Sequence, residues 1–166
     1  MLFRSQASLT GHLVLSTLHT NDAPSAITRL LDMGVEPYLV SSSVIAVVAQ
    51  RLVRKVCTFC AKESKWDGAA LQQEAYVLKK NTPIMRGSGC ERCRFTGYQG
   101  RVAIYEILPF TDAIRELALK KASAEVICQT AVQEGMSTLF EEGLERVYQG
   151  LTTPEEVFRV VSVGSR

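Results

Sequence analysis

Gly11-His-Leu-Val-Leu-Ser-Thr-Leu-His-Thr-Asn-Asp-Ala-Pro24 is the stretch on which the fold turns. His12 to His19 is an apolar run of strand length, bounded by Gly11 on one side and Asn21-Asp22 on the other. Its near-continuous apolarity predicts a strand covered on both faces, as in a parallel α/β sheet. Asp22 predicts a helix cap, with Pro24 in the first turn. Ala23, Ala26, Ile27, Leu30 and Leu31 then repeat at helical spacing up to Gly34.

Further along, Pro37 opens a second helix, apolar nearly all round to Val48 and therefore expected to be buried. Arg51-Leu-Val-Arg-Lys-Val56 reads as a strand that feeds a cysteine pair. Residues 57–100 read as an insert with a short helix from Ala69 to Lys79. Arg101 to Leu108 is a further strand, ended by Pro109. The remainder is helical. Thr111 or Asp112 starts one helix, and Ser123 starts another that stops at Gly135. Thr138 with Glu141, and Thr153-Pro-Glu-Glu156, form capping boxes for two more. There is no internal repeat and no low-complexity tract.

The chain has 166 residues, 46% hydrophobic and 22% charged, which fits one ordinary domain and excludes a disordered, collagen-like or disulfide-dense chain. No apolar run reaches the roughly 18 residues of a membrane span. Met1 to Ser5 lack the charged start and apolar core of a signal peptide, so export is not expected. The net charge of +2 hides an asymmetry: residues 1–50 carry −1, residues 51–101 carry +7 and residues 102–166 carry −4. The basic middle is a separate chemical unit.

That middle holds Cys57-Thr-Phe-Cys60 and Cys90-Glu-Arg-Cys93, with 29 residues between the pairs; Cys128 lies apart, in a helical pattern, as a small core residue. Disulfides are not expected without export. Two C-x-x-C pairs match a tetrahedral four-thiolate zinc site, because each tight turn supplies two sulfurs. Gly87, Gly89, Gly97 and Gly100 permit the turns around the second pair. Four reduced thiols without metal are the plainer alternative. A catalytic zinc fits less well, since four thiolates leave no open position. A thioredoxin-like redox role leaves one pair unexplained.

His12 and His19 are the two histidines. On a strand they would stand about 23 Å apart and face opposite ways, so they cannot share a metal ion. His19 at a strand's carboxyl end, followed by Thr20, Asn21 and Asp22, is the better placed for a site. Two hydrogen-bonded structural histidines are the alternative. No Ser-His-Asp order, no H-E-x-x-H and no G-x-x-x-x-G-K-[ST] occurs.

Residues 7–23, Ala-Ser-Leu-Thr-Gly-His-Leu-Val-Leu-Ser-Thr-Leu-His-Thr-Asn-Asp-Ala, resemble the histidine box of the secretion ATPases, the motors of type II secretion and type IV pilus assembly in the P-loop NTPase superfamily. The resemblance continues through residues 26–34, through Ala49 to Cys57, and into both cysteine pairs. It extends to Gly97-Tyr-Gln-Gly-Arg-Val-Ala-Ile-Tyr-Glu106, Thr138 to Gly143 and Gly150 to Val157. It covers about residues 6–161. The cysteines point to the assembly or secretion type, because retraction motors of the family generally lack them.

The resemblance implies an α/β fold: a partial RecA-like core over 1–56, a zinc-binding insert over 57–100, and a return strand with a helical subdomain over 101–166. It implies a hexameric cytoplasmic ATPase, peripheral at the inner membrane, that drives a pilus or pseudopilus through a platform protein. It places His19 and His12 in the histidine box, with His19 the closer to phosphate and Thr17 and Thr20 near the nucleotide. Cys57, Cys60, Cys90 and Cys93 would hold structural zinc; ATP and magnesium belong to the full-length protein. The family's Walker A loop, acidic box, arginine fingers and Walker B motif are not in this sequence, and Met1 to Ser5 do not fit the family. The chain therefore reads as the C-terminal half of a motor, a truncated product or a cut piece, inactive alone. The competing expectation is a zinc-stabilised interaction or nucleic-acid-binding module without catalysis. Phe59, Trp66, Tyr76, Phe95 and Tyr98 are too scattered to favour base stacking, and no specific nucleic acid is expected.

Overall fold

The computed structural model describes residues 10–66 and 82–162. The helix expected over Ala69 to Lys79 lies outside the described residues. Helix α1 (Ala23–Asp32) forms as its sequence dictates. The Asp22 carboxylate accepts the Ser25 N–H at 2.7 Å, and Pro24 sits in the first turn, where no amide is needed.

The expected strand from His12 to His19 does not form: residues 12–20 are neither strand nor helix. A strand exists only when a neighbour takes its amides and carbonyls and an apolar surface covers its side chains. Here Leu13 is 77% and Leu15 85% exposed. Strand propensity without a covering sheet leaves the segment unpaired and its leucines uncovered in this chain.

The second helix is shorter than its apolar run suggests. Helix α2 spans Pro37–Ser43, not Pro37 to Val48, and strand β1 follows at Ala46–Val56. The Ser42 and Ser43 hydroxyls donate back to the carbonyls of Tyr38 and Leu39, at 2.6 and 2.5 Å, which weakens helix continuation. The β-branched Val44, Ile45, Val47 and Val48 then favour extended backbone.

Strand β2 (Ala61–Lys65) pairs antiparallel with β3 (Pro83–Gly87), in register from Ala61 opposite Gly87 to Lys65 opposite Pro83. Strand β4 (Tyr98–Pro109) pairs with β1. Helix α3 (Asp112–Leu119) is capped by Thr111, and α4 (Ala124–Gln133) by Ser123, both as expected. Helices α5 (Leu139–Tyr148) and α6 (Pro154–Ser162) complete the described chain.

Two compact units result. One is drawn from Met1–Ala49 and Tyr105–Thr138, the other from Gln50–Ile104 and Leu139–Arg166. In the first, α1 lies against α2 and α4, and α3 against α2 and α4. Their shared core includes Ile27, Leu39, Leu108, Phe110, Ile114 and Ile127. Arg115 donates to the Ser41 carbonyl and so meets the end of α2 with positive charge.

In the second unit, Trp66, Ile84, Phe140, Leu144, Val147 and Val157 form the core. Helices α5 and α6 approach closely at Gly143, where a Cβ would stand 2.5 Å from Val157 Cγ1. Phe140 and Phe158 meet edge to face at 5.1 Å.

Candidate functional site

The cysteine site belongs to the second unit. β1 ends at Val56, and Cys57 donates its backbone N–H to the Gly97 carbonyl at 2.9 Å. The turn from Cys57 closes with the Cys60 N–H on the Cys57 carbonyl at 3.3 Å. The second pair sits in a short 3₁₀ turn, Glu91–Cys93. The Phe95 N–H reaches back to the Cys90 carbonyl at 2.9 Å, and the Thr96 hydroxyl to the Cys93 carbonyl at 2.6 Å.

Arg94 and Phe95 both lie in the left-handed region, φ 52° and 61°, which is uncommon for residues with side chains. Such conformations cost on the order of 1 kcal/mol or more each and persist where the surroundings impose them. Here they bring the Gly97 N–H to within 3.3 Å of Cys93 Sγ. Gly97 also touches Gly87 backbone to backbone: a Cβ on Gly87 would lie 2.1 Å from the Gly97 carbonyl oxygen. Only glycine fits that crossing.

The result brings all four predicted sulfurs together. The Sγ atoms of Cys57, Cys60, Cys90 and Cys93 lie within 4.8 Å of one another. Three of the separations are 3.9 Å (Cys57–Cys90), 3.9 Å (Cys60–Cys93) and 3.8 Å (Cys90–Cys93). A tetrahedron with zinc–sulfur bonds of about 2.3 Å has edges of about 3.8 Å, so the donor set fits that ion in kind, number and spacing. None of the four is in a disulfide, and all but the half-buried Cys90 are buried.

Electrostatics around the sulfurs is uneven. Burial raises the Cys93 thiol's pKa, but the N–H groups of Cys90 and Gly97 and the neighbouring thiols outweigh that and bring it down to about 6. Burial pushes the Cys60 thiol up to about 11, against one backbone hydrogen bond from Gly89. The Cys57 thiol donates toward Gln99 Oε1 at 3.7 Å. Arg92 lies 3.9 Å over the exposed Phe59 ring, so positive charge stands beside the cluster.

The histidine segment lies in the other unit. His12 and His19 are both exposed, Thr17 is exposed and Thr20 is half-buried. The His12 ring Nδ1 and the Thr10 hydroxyl are 3.0 Å apart.

Two acids are buried with distant partners that the sequence does not announce. Glu106 is 3% exposed in β4, and its Oε1 accepts the Ala23 N–H at 2.7 Å. A lone acid within the apolar run Val102 to Leu108 was the available signal. Glu156, expected as one half of a capping box, is instead fully buried between two arginines. It accepts from Arg54 at 2.8 Å, from Arg159 at 2.8 and 2.6 Å, and from the Arg54 backbone N–H at 3.0 Å. Thr153 remains the cap, 3.4 Å from the Glu156 N–H.

Comparisons with known proteins identify the family. A family described as Type II/IV secretion system protein matches residues 3–159. The chain belongs to that family. It is 49% identical over 157 residues to the type IV pilus assembly ATPase PilB of Thermus thermophilus, covering 92% of this chain and 17% of that protein. It is 45% identical over 157 residues to the type II secretion system ATPase E of Vibrio cholerae, covering 93% of this chain and 31% of that protein. The chain thus spans less than a third of the length of these relatives. The fold resembles that of the pilus retraction motor PilT, solved with bound ADP. The TM-score is 0.60 at 23% identity, over 95% of this chain and 34% of that one. Among the described residues, no helix is long and apolar enough to cross a membrane.

Proposed function

We propose that this chain is the C-terminal part of a hexameric ATPase that powers type II protein secretion or type IV pilus assembly. The observation that carries this reading is family membership over nearly the whole chain, shared with both kinds of motor. In this reading residues 1–56 belong to a RecA-like core, residues 57–100 form a metal lobe, and residues 101–166 add a return strand and a helical subdomain. His19 and His12 act in the histidine box, with Thr17 and Thr20 near the nucleotide. The ring sits in the cytoplasm against an inner-membrane platform protein. ATP and magnesium are held mainly by parts of the motor that this sequence does not contain.

Cys57, Cys60, Cys90 and Cys93 hold zinc in this reading. Bound there, it ties the two turns together and leaves no open position for catalysis. The residues themselves supply four thiolates, backbone N–H donors to Cys93 and a glycine crossing that fixes the spacing. Metal analysis of purified protein tests this: about one zinc per chain is expected, lost in Cys57→Ser or Cys90→Ser. Full-length zinc content in either variant overturns the four-sulfur site.

The basic charge of residues 51–101 favours a second reading, a zinc-stabilised interaction or nucleic-acid-binding module. Exposed Phe59 and Phe95 support it, whereas Trp66 is buried and Tyr98 is engaged by Thr153 and Arg54. Salt-sensitive micromolar binding to DNA or RNA would favour that module over the motor part.

A further inference from the structure

Glu106 is the one acidic residue of β4, and it is buried. A carboxylate in such a place is expensive unless donors reach it. One donor is the N–H of Ala23, the first residue of α1, 83 positions earlier in the chain. Helix starts carry N–H groups with no partner inside the helix. In α1, Pro24 has none to offer, Ser25 gives its own to Asp22, and Ala23 gives its own to Glu106. Two carboxylates therefore hold the first turn, one from the adjoining residue and one from a distant strand.

The peptide between Asp22 and Ala23 is planar, so fixing its N–H fixes the direction in which the chain leaves the helix backwards. His19, Thr20, Asn21 and Asp22 leave along that direction, and they form neither helix nor strand.

We propose that Glu106 is the positioning residue of the segment His19 to Asp22. It acts through the Ala23 amide and touches no ligand itself. Its functional weight rests on reading that segment as facing the nucleotide. One chemical consequence is specific. The N–H groups of Ala23 and Ser25 meet carboxylates, so the start of α1 does not offer them to a phosphate. Any contact with an anion here then falls to groups of the segment before the helix rather than to these two amides.

The test uses the ¹⁵N-labelled chain, three single variants and one double variant. Glu106→Ala and Ala23→Pro delete the same bond from opposite ends, and proline suits the first helical position. Glu106→Gln keeps an accepting oxygen. The expected result is loss of backbone order at residues 19–22 in the first two variants, while Leu30 and Leu31 in α1 keep their exchange protection. In Glu106→Ala the Ala23 amide should exchange about tenfold faster or more. Glu106→Gln should restore the order. The double variant should be no worse than either single one.

Unchanged order at residues 19–22 in Glu106→Ala or Ala23→Pro overturns the proposal. So does a Glu106→Gln protein as disordered as Glu106→Ala. If Glu106→Ala does not fold, Ala23→Pro decides. If neither folds, Glu106 is a fold-holding acid and the positioning role falls. Failure of the motor reading would leave these results untouched, since they contain no nucleotide.

Discussion

Glu156 shows how much one side chain can organise. Its carboxylate accepts from two guanidinium groups and one backbone amide, and the Thr152 hydroxyl donates to the Arg54 carbonyl at 2.8 Å beside it. Burial raises its pKa. The hydrogen bonds from Arg159 and Arg54 overcome that and hold it at about 2, against an ordinary 4.5. The folded value is the lower one, so the ionised group stabilises the fold fully above about pH 4.5. That contribution is lost as pH falls toward about 2. Glu156→Gln should cost about 1–3 kcal/mol at neutral pH, moderated because both arginines are partly exposed and can turn to water. It should also remove part of the loss of stability in acid. Denaturant unfolding of both proteins from pH 7 to pH 2 checks this. An unchanged difference between them throughout means that Glu156 carries no such linkage.

At the scale of elements, local signals were legible and tertiary ones were not. Asp22, Thr111 and Ser123 cap helices as their sequences indicate, because capping is a contact of three residues' reach. The cysteine pairs were legible because thiolate chemistry requires their spacing. Glu106 stands out locally only as a lone acid in an apolar run, and its partner 83 residues away leaves no pattern in the sequence. The sequence does not mark the boundary near Ser43, because a run of apolar residues suits a buried helix or a buried strand equally. His12 to His19 carries strand propensity with no sheet over it. Leu15→Gln should therefore shift the chain's unfolding free energy by less than about 0.5 kcal/mol, as at an ordinary surface position. A loss of 2 kcal/mol or more in urea unfolding would mean that this leucine is covered in solution.

For the whole molecule, what the sequence contains sets its limits. There is no G-x-x-x-x-G-K-[ST] among the 166 residues, and that loop supplies the amides and lysine that hold phosphates. The isolated chain should show no ATP hydrolysis above a no-enzyme control, with or without zinc. Zinc-dependent turnover by the pure chain would overturn this. Net charge is a poor guide at this scale, because +2 overall conceals +7 in residues 51–101 and −4 in residues 102–166.

The uncovered segment also bears on handling the protein. Leu13 and Leu15 stand open to water on backbone that is already outside any helix. A stretch of that kind can take up a neighbouring molecule's backbone and grow by strand addition. For the chain taken by itself, a lysine or proline in this stretch is the change most in keeping with how natural edge strands are protected.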